Sequence, residues 1–516
     1  MRREHDERYP ADPTGKRSMV DRRTRRHSEP MRTDSSPSCG WAPLHASLVC
    51  VLLACGSSAE PPADASIDTS TLDAFVPADD AGSIDASVPF VECRVALPSD
   101  SVEGTDVRCF DLRDARALPE ILVHAIVFDA ELAGTPVYVL DGGPGLRGTA
   151  YVRSLDRETR RARFGERPIV YVEQRGKGAS LPRLACPSGD LVFCADEARA
   201  DGIDLTRFGV TDAADDLVAI ASSLGHERIL LAGGSFGSRL ALEVIRRHPE
   251  RIEAAYLESL VPPDLAYLAN FVRGTGLALD ALGEVCAAAP TCEGDVSTDL
   301  VRALERAAES PLDSSLGPLS PPIVTIAIVE AQYHQDLLGG IPSGLRALAE
   351  GDPDASTFVR RALSRPPPVD SLLQYAVLCR DIAPLFDRAD LEAAVAEVGP
   401  PLGPWLEPFG TSLDVCAELG VAAGPAEART PVTTDVPLLL VAPELDARTP
   451  RINAERVAAT ASRARIVDLP GRTHTPGLAL QAEGRFLDAC AAEVVRTFLD
   501  DPDAELPSCE AAIVWE

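Results

Sequence analysis

Apolar positions along this chain follow two alternating patterns. Unbroken runs at Val137–Leu140, Ile229–Ala232, Val436–Ala442 and about Arg465–Leu469, with one more inside RPIVYVEQRGKGAS, predict strands buried on both faces. Between them, apolar residues recur at helical spacing in Thr211–Leu224 and again at Leu240, Ala241, Val244 and Ile245. Strand, helix, strand in repetition predicts an α/β architecture, a mostly parallel sheet with helices on both faces.

The pattern changes twice. Roughly 262–429 is far too long for a connection and carries helical stretches such as DLVRALERAAES and DLEAAVAEV, broken by the Pro-rich SRPPPVD and GPPLGPW. This predicts an inserted helical cap (lid) of residues 262–429, between a first core segment, 91–261, and a second, 430–516. No internal repeat is visible.

The first 90 residues are not read as part of the fold. Residues 1–30 are rich in Arg and mixed charges and form an N-terminal extension if synthesis starts at Met31. From Met31 the chain has the layout of a secretory signal, with an apolar run too short for a membrane span. Leu52-Leu53-Ala54-Cys55 also resembles a bacterial lipobox. Residues 1–55 are therefore read as extension plus lipoprotein signal peptide, with Cys55 as lipidation site and Gly56 suiting an outer-membrane lipoprotein. A plain signal peptide and secretion is the alternative. Residues 56–90, rich in Ala, Asp, Ser and Pro, cannot bury a core and are read as a disordered linker.

Charge narrows the function classes. A net charge of -30 argues against nucleic acid, whose phosphates would repel such a surface. Of 13 Cys, three fall in the leader; the other ten form neighbouring pairs in sequence, Cys93/Cys109, Cys186/Cys194, Cys286/Cys292, Cys379/Cys416 and Cys490/Cys509. An even number in an exported chain predicts disulfides, which we pair in that order although spacing alone does not fix connectivity. Neither C-x-x-C nor H-E-x-x-H occurs, so no metal or other cofactor is implied.

The chemistry begins at Gly233-Gly234-Ser235-Phe236-Gly237. A serine between glycines at a sharp strand-to-helix turn has its hydroxyl pushed outward, the layout of a nucleophile elbow. Such a serine needs a histidine base held by a carboxylate, and the order Ser, acid, His places both downstream. Asp446 follows the strand at 436–442, with Glu444 as the fallback acid, and His474 follows the strand at 465–469. His124, His226, His248 and His334 are read as structural. Oxyanion donors are the N–H of Phe236 and a backbone amide at Gly143 in Asp141-Gly142-Gly143-Pro144-Gly145. Asp215 and Asp216 are read as solvated charges or helix-dipole partners.

Taken together, GGPG, QRGxGxS, GGSFGS, ELDxxTP and the late His474 resemble the proline iminopeptidase family of α/β-hydrolase serine peptidases, from roughly Cys93 to the C-terminus. LPRLACP, YAVLCRD and the Cys490 to Cys509 tail are most similar to its tripeptidyl aminopeptidase branch. The resemblance implies an α/β-hydrolase fold, Ser235, Asp446 and His474 as triad, and Gly143 with Phe236 at the oxyanion. Two departures, Asp141 for the family's common His and Glu173 for its Asp, sit beside the substrate pocket. Pocket candidates are Gly142, Glu173, Arg175, Glu330 and Asp381, the lid acids (Asp336 among them) being candidates for an α-ammonium site.

The reading is a secreted or lipid-anchored serine hydrolase acting on a peptide or small ester. An aminopeptidase releasing N-terminal residues or short peptides through an acyl-enzyme comes first. A carboxylic ester hydrolase with the same triad is the alternative, and a non-catalytic surface lipoprotein is a third reading.

Overall fold

The computed structural model describes residues 90–516 apart from 96, 98–105, 116, 118, 149–155, 365–368, 407–409 and 479–487. The leader, Cys55 and all but the last residue of the linker lie outside the described residues.

Eight strands form one sheet in the order β1-β2-β4-β3-β5-β6-β9-β10. They are β1 (Val107–Asp114), β2 (Ile121–Phe128), β3 (Val137–Leu140), β4 (Ile169–Val172), β5 (Ile229–Gly234), β6 (Ile252–Glu258), β9 (Leu438–Pro443) and β10 (Ala464–Leu469). β2 runs antiparallel to both neighbours, and every pairing from β4 to β10 is parallel. A separate two-stranded pair, β7 (Asp313–Ser314) and β8 (Gly317–Pro318), lies in the inserted segment.

Unbroken apolar runs arise because alternate residues feed opposite faces, both of them covered. Tyr138, Leu140, Leu231, Leu438 and Leu440 enter one cluster with Val210–Ser223 (α3) and Phe236–Arg247 (α4). Val137, Val139, Leu230, Leu439 and Val441 enter the other with Arg157–Phe164 (α1) and the C-terminal helix Ala489–Asp500. Leu191–Ala200 (α2) joins α3 and α4 on the first face. Each fully buried Leu or Val contributes about 1.5–3 kcal/mol.

The segment between β6 and β9 contains α5 (Tyr267–Ala288), α6 (Val296–Glu309), α7 (Pro321–Ala331), α8 (Gln335–Leu338), α9 (Ile341–Glu350), α10 (Ala355–Leu363), α11 (Ser371–Val377), α12 (Arg388–Val398) and α13 (Thr411–Leu419). Helices α5 to α10 and α12 share their own apolar cluster. Leu372, Leu373, Tyr375, Ile382 and Leu419 instead pack into the cluster on the sheet, so the insert has a part with its own apolar cluster and a part fused to the sheet layer. The C-terminal tail joins the part with its own cluster by contact: Ile513 and Trp515 pack on that cluster, and the Glu516 N–H donates to the Gly339 carbonyl at 3.1 Å.

Five disulfides join Cys93–Cys109, Cys186–Cys194, Cys286–Cys292, Cys379–Cys416 and Cys490–Cys509 in the expected order. Register brings the site together: Leu140 pairs with Gly233, Gly234 with Glu258, and Glu258 with Val441, so the loops beyond these strands emerge side by side.

Candidate functional site

Ser235 joins β5 to α4 at φ 53° and ψ -126°, a conformation that costs a non-glycine residue about 1–3 kcal/mol. Close approach explains the flanking glycine: a Cβ on Gly237 would lie 2.1 Å from the Leu140 carbonyl oxygen. The Ser235 N–H donates to the Glu258 carbonyl at 3.1 Å, and the Ser238 N–H and hydroxyl donate to the Ser235 carbonyl at 2.9 and 2.6 Å. Backbone packing, helped by the Ser238 hydroxyl, therefore holds the turn.

Asp446 sits in the turn after β9, 2% exposed. It accepts from the backbone N–H groups of Arg448 (2.9 Å) and Thr449 (3.0 Å) and from the Thr449 hydroxyl (2.6 Å). His474 Nδ1 lies 2.9 and 3.0 Å from its two oxygens. Burial alone would raise the Asp446 pKa, but His474, Thr449 and Ser259 outweigh it and hold the carboxyl below the usual range. It is thus ionised and orients the imidazole.

The other ring nitrogen, His474 Nε2, is buried with no hydrogen bond to any described group, Ser235 included. The two loops nevertheless touch, since a Cβ on Gly234 would lie 2.9 Å from Thr475 Cγ2. Bonds of this kind often close only around substrate.

The loop bearing His474 is held from three sides. The Thr475 N–H donates to the Ser259 hydroxyl at 2.9 Å. The N–H groups of Gly477 and Leu478 donate to the two Glu258 carboxylate oxygens at 2.9 and 2.8 Å. From the insert, Gln335 accepts the Thr473 N–H at 3.0 Å, and the Tyr333 ring lies tilted over the imidazole, centroids 5.0 Å apart. Burial raises the Glu258 pKa to about 7, against hydrogen bonds from Tyr256, Gly477 and Leu478 that lower it.

Beyond β3, Gly142 packs on Ser235; a Cβ there would sit 3.2 Å from that of the serine. Gly143 has φ +107°, which only glycine adopts without strain. Phe236 opens α4, where the first N–H groups lack intrahelical acceptors. Gly143, Phe236 and Arg448 line a common cleft of about 130 Å³ with Tyr267, Phe271 and Gln374 among its other walls.

The remaining pocket candidates separate. Glu330 stands next to this cleft through its partner Arg448, which donates to it at 3.0 Å. Arg175, expected at the pocket, is instead buried in a bidentate pair with Asp216 at 2.7 and 2.6 Å, tying the loop after β4 to α3. That pairing also corrects the reading of Asp216 as a solvated charge; Asp215 is half-exposed and pairs with Arg247 at 2.7 Å. Glu173 is 2% exposed and packed against Gly178. Asp381, buried and accepting the Val210 N–H at 2.7 Å, joins the insert to α3, its pKa pushed up to about 6 by burial. None of Arg175, Glu173 and Asp381 is among the residues lining the cleft. Asp141 pairs with buried Lys177 at 3.0 Å, and Asp336 is exposed on α8. Glu444, the fallback acid, accepts the Gly471 N–H at 2.7 Å and makes no bond to His474.

Sequence reasoning missed Glu258, Ser259, Tyr333, Arg448 and Thr449. The last two lie within the ELDxxTP stretch, and Glu258-Ser259 follows an apolar run as the other site residues do. Those positions were the available signal.

Fold and site define the class: this is an α/β-hydrolase fold, with residues 135–279 matching the family described as alpha/beta hydrolase fold and 405–509 the one described as TAP-like protein. Within it the chain is similar to proline iminopeptidases. It is 32% identical over 144 residues to a probable proline iminopeptidase of Streptomyces coelicolor, covering 28% of this chain and 38% of that one. It is 29% identical over 139 residues to the proline iminopeptidase of Neisseria gonorrhoeae, covering 26% and 36%. The chain thus spans little more than a third of these relatives' length. Solved structures similar to it include the proline iminopeptidase of Mycobacterium smegmatis, 20% identical with TM-score 0.36 over 74% of this chain and 96% of that one. Another is a proline iminopeptidase-related protein of Thermus thermophilus, 23% identical with TM-score 0.34 over 75% and 98%.

Proposed function

We propose that this chain is a serine hydrolase that acts as an aminopeptidase, releasing N-terminal residues or short peptides. The observation that carries the proposal is the buried Asp446–His474 pair beside a serine at positive φ, with Gly142 packed on that serine. In this reading His474 Nε2 takes the Ser235 proton as Oγ attacks the scissile carbonyl. Backbone amides at Phe236 and Gly143 stabilise the oxyanion, and the leaving amine departs with the proton held by His474. Water then attacks the acyl-enzyme by the reverse proton path.

Similarity to proteins named proline iminopeptidase supports amide substrates. One observation keeps ester hydrolysis as a second reading: Glu330, the acid next to the cleft, is engaged by Arg448, whereas an α-ammonium needs an acceptor. A matched set of free-amine aminoacyl and tripeptidyl amides, their N-acylated counterparts and short acyl esters decides between them, with Ser235→Ala as control. Cleavage confined to free-amine amides supports the aminopeptidase, and ester cleavage alone replaces it. Activity surviving in Ser235→Ala overturns the whole reading.

Five disulfides fit an oxidising compartment outside the cytoplasm, and no described helix is long and apolar enough to cross a membrane. Attachment through a lipid on Cys55 is the finer proposal, tested by loss of lipid labelling in Cys55→Ser.

A further inference from the structure

Arg448 is the one ionised residue among those lining the cleft within the described structure. Its own backbone N–H is bonded to Asp446 at 2.9 Å, which fixes it to the acid of the site. Its guanidinium lies 4.4 Å from the Tyr333 ring centroid and 5.2 Å from that of Phe271, a stacked seat. Of its five N–H donors, those on Nη2 reach Glu330 at 3.0 Å, while Nε is buried with no acceptor. A buried donor left unpaired is costly, and a charged planar fork is best satisfied by a second carboxylate.

The surroundings define what else the occupant needs. Phe236, Val261, Tyr267, Leu268 and Phe271 make most of the wall apolar, so the carboxylate would ride on an apolar or aromatic body. A substrate ammonium placed in the same cleft would face the Arg448 cation and would have to take Glu330 away from it.

We propose that Arg448 is a specificity-determining residue that selects substrates carrying a carboxylate close to the scissile bond. Two sources share this chemistry: an acidic side chain, and the free C-terminus of a short peptide. As a statement about substrate, it rests on the hydrolase reading of Ser235.

The test separates the two. Calorimetry on full-length Ser235→Ala measures binding of 3-phenylpropionate, its amide and phenethylamine, without any turnover. The acid should bind at least tenfold more tightly than the amide, and that preference should vanish in Ser235→Ala combined with Arg448→Gln and Glu330→Gln, which removes both charges of the pair so that neither is left buried alone. Equal binding of acid and amide, or tighter binding of the amine, overturns the proposal, the second result in favour of an ammonium site at Glu330. Kinetics on the wild-type chain then compare Glu with Gln substrates and C-terminal acids with C-terminal amides, to assign the source of the carboxylate. A higher kcat/KM for the acid in one pair supports the proposal and names its source; no preference in either pair, in an active enzyme, refutes it. Complete absence of hydrolysis defeats the hydrolase reading, while the binding result still decides the role of Arg448.

Discussion

The elbow at Ser235 and the wall that carries His474 are built in opposite ways. The elbow is short, a run of five residues whose contacts with the neighbouring strands are made mainly through backbone, with Gly237 against Leu140 and Ser235 against Glu258. The wall is assembled from afar: Glu258 from the end of β6 and Ser259 just past it, Thr449 from beyond β9, and Tyr333 and Gln335 from the insert, acting through side chains. An elbow of the first kind tolerates no change of volume. A wall of the second kind loses function one hydrogen bond at a time.

The largest effect comes from removing the chemistry itself. Ser235→Ala and Asp446→Asn should each lower kcat by about 10⁴-fold or more while the melting temperature changes little, and the double variant should be no worse than the worse single one. Additive losses would show that these residues do not act as one unit. Next comes Gly237→Ala, in which the added methyl must displace the Leu140 carbonyl it meets at 2.1 Å. Because backbone has to move, we expect a fall of several kcal/mol in unfolding free energy, on the order of the larger single-site effects, together with lost activity. Unfolding in denaturant, compared with Gly283→Ala in α5, where the added methyl would meet only Val296 Cβ at an ordinary 3.7 Å, checks it.

A third experiment moves to the wall. Glu258 is pushed up to about 7 from an ordinary 4.5, so between these values the folded state binds more protons than the unfolded one. Stability from this group is therefore greatest at low pH and falls as pH rises through that window, by at most about 3 kcal/mol. Asp381, raised to about 6, adds a slope of the same sign, so the quantity to read is the difference between wild type and Glu258→Gln. The variant should flatten the pH dependence between about 4.5 and 7. It should also lower kcat by about tenfold, because an amide nitrogen would oppose one of the two N–H groups that hold the His474 loop. An unchanged slope would mean that Glu258 is ionised throughout.

The same contrast explains what could be read in advance. The sheet, the elbow, Asp446 and His474 were legible because each depends on a short run: buried strands show as unbroken apolar stretches, and site residues fall just past their ends. The disulfide order was legible for the same reason, the partners being neighbours along the chain. Arg175 and Asp381 were misplaced because whether a charge faces a cleft or a buried partner depends on α3, which contributes Asp216 to one and the Val210 N–H to the other. Tyr333 and Arg448 meet only because the insert folds back over the loop after β9, and no spacing in the sequence encodes that contact.

The smallest effect tests how finely the wall is divided. Thr449→Val keeps the volume of the side chain but removes the hydroxyl that donates to Asp446 at 2.6 Å. Asp446 would keep the backbone N–H groups of Arg448 and Thr449 and its contact with His474, so the carboxylate stays ionised near neutral pH, with its pKa moved up toward the ordinary range. One net hydrogen bond to a charged group is worth about 1.5–3 kcal/mol, part of which the remaining donors absorb. A fall in kcat of about three- to tenfold follows, with KM unchanged because Thr449 is not among the residues lining the cleft. A larger loss, approaching that of Asp446→Asn, would mean that the hydroxyl fixes the orientation of the whole acid and base pair. In that case the wall would be as intolerant as the elbow, and the contrast between the two regions would fail at its most sensitive point.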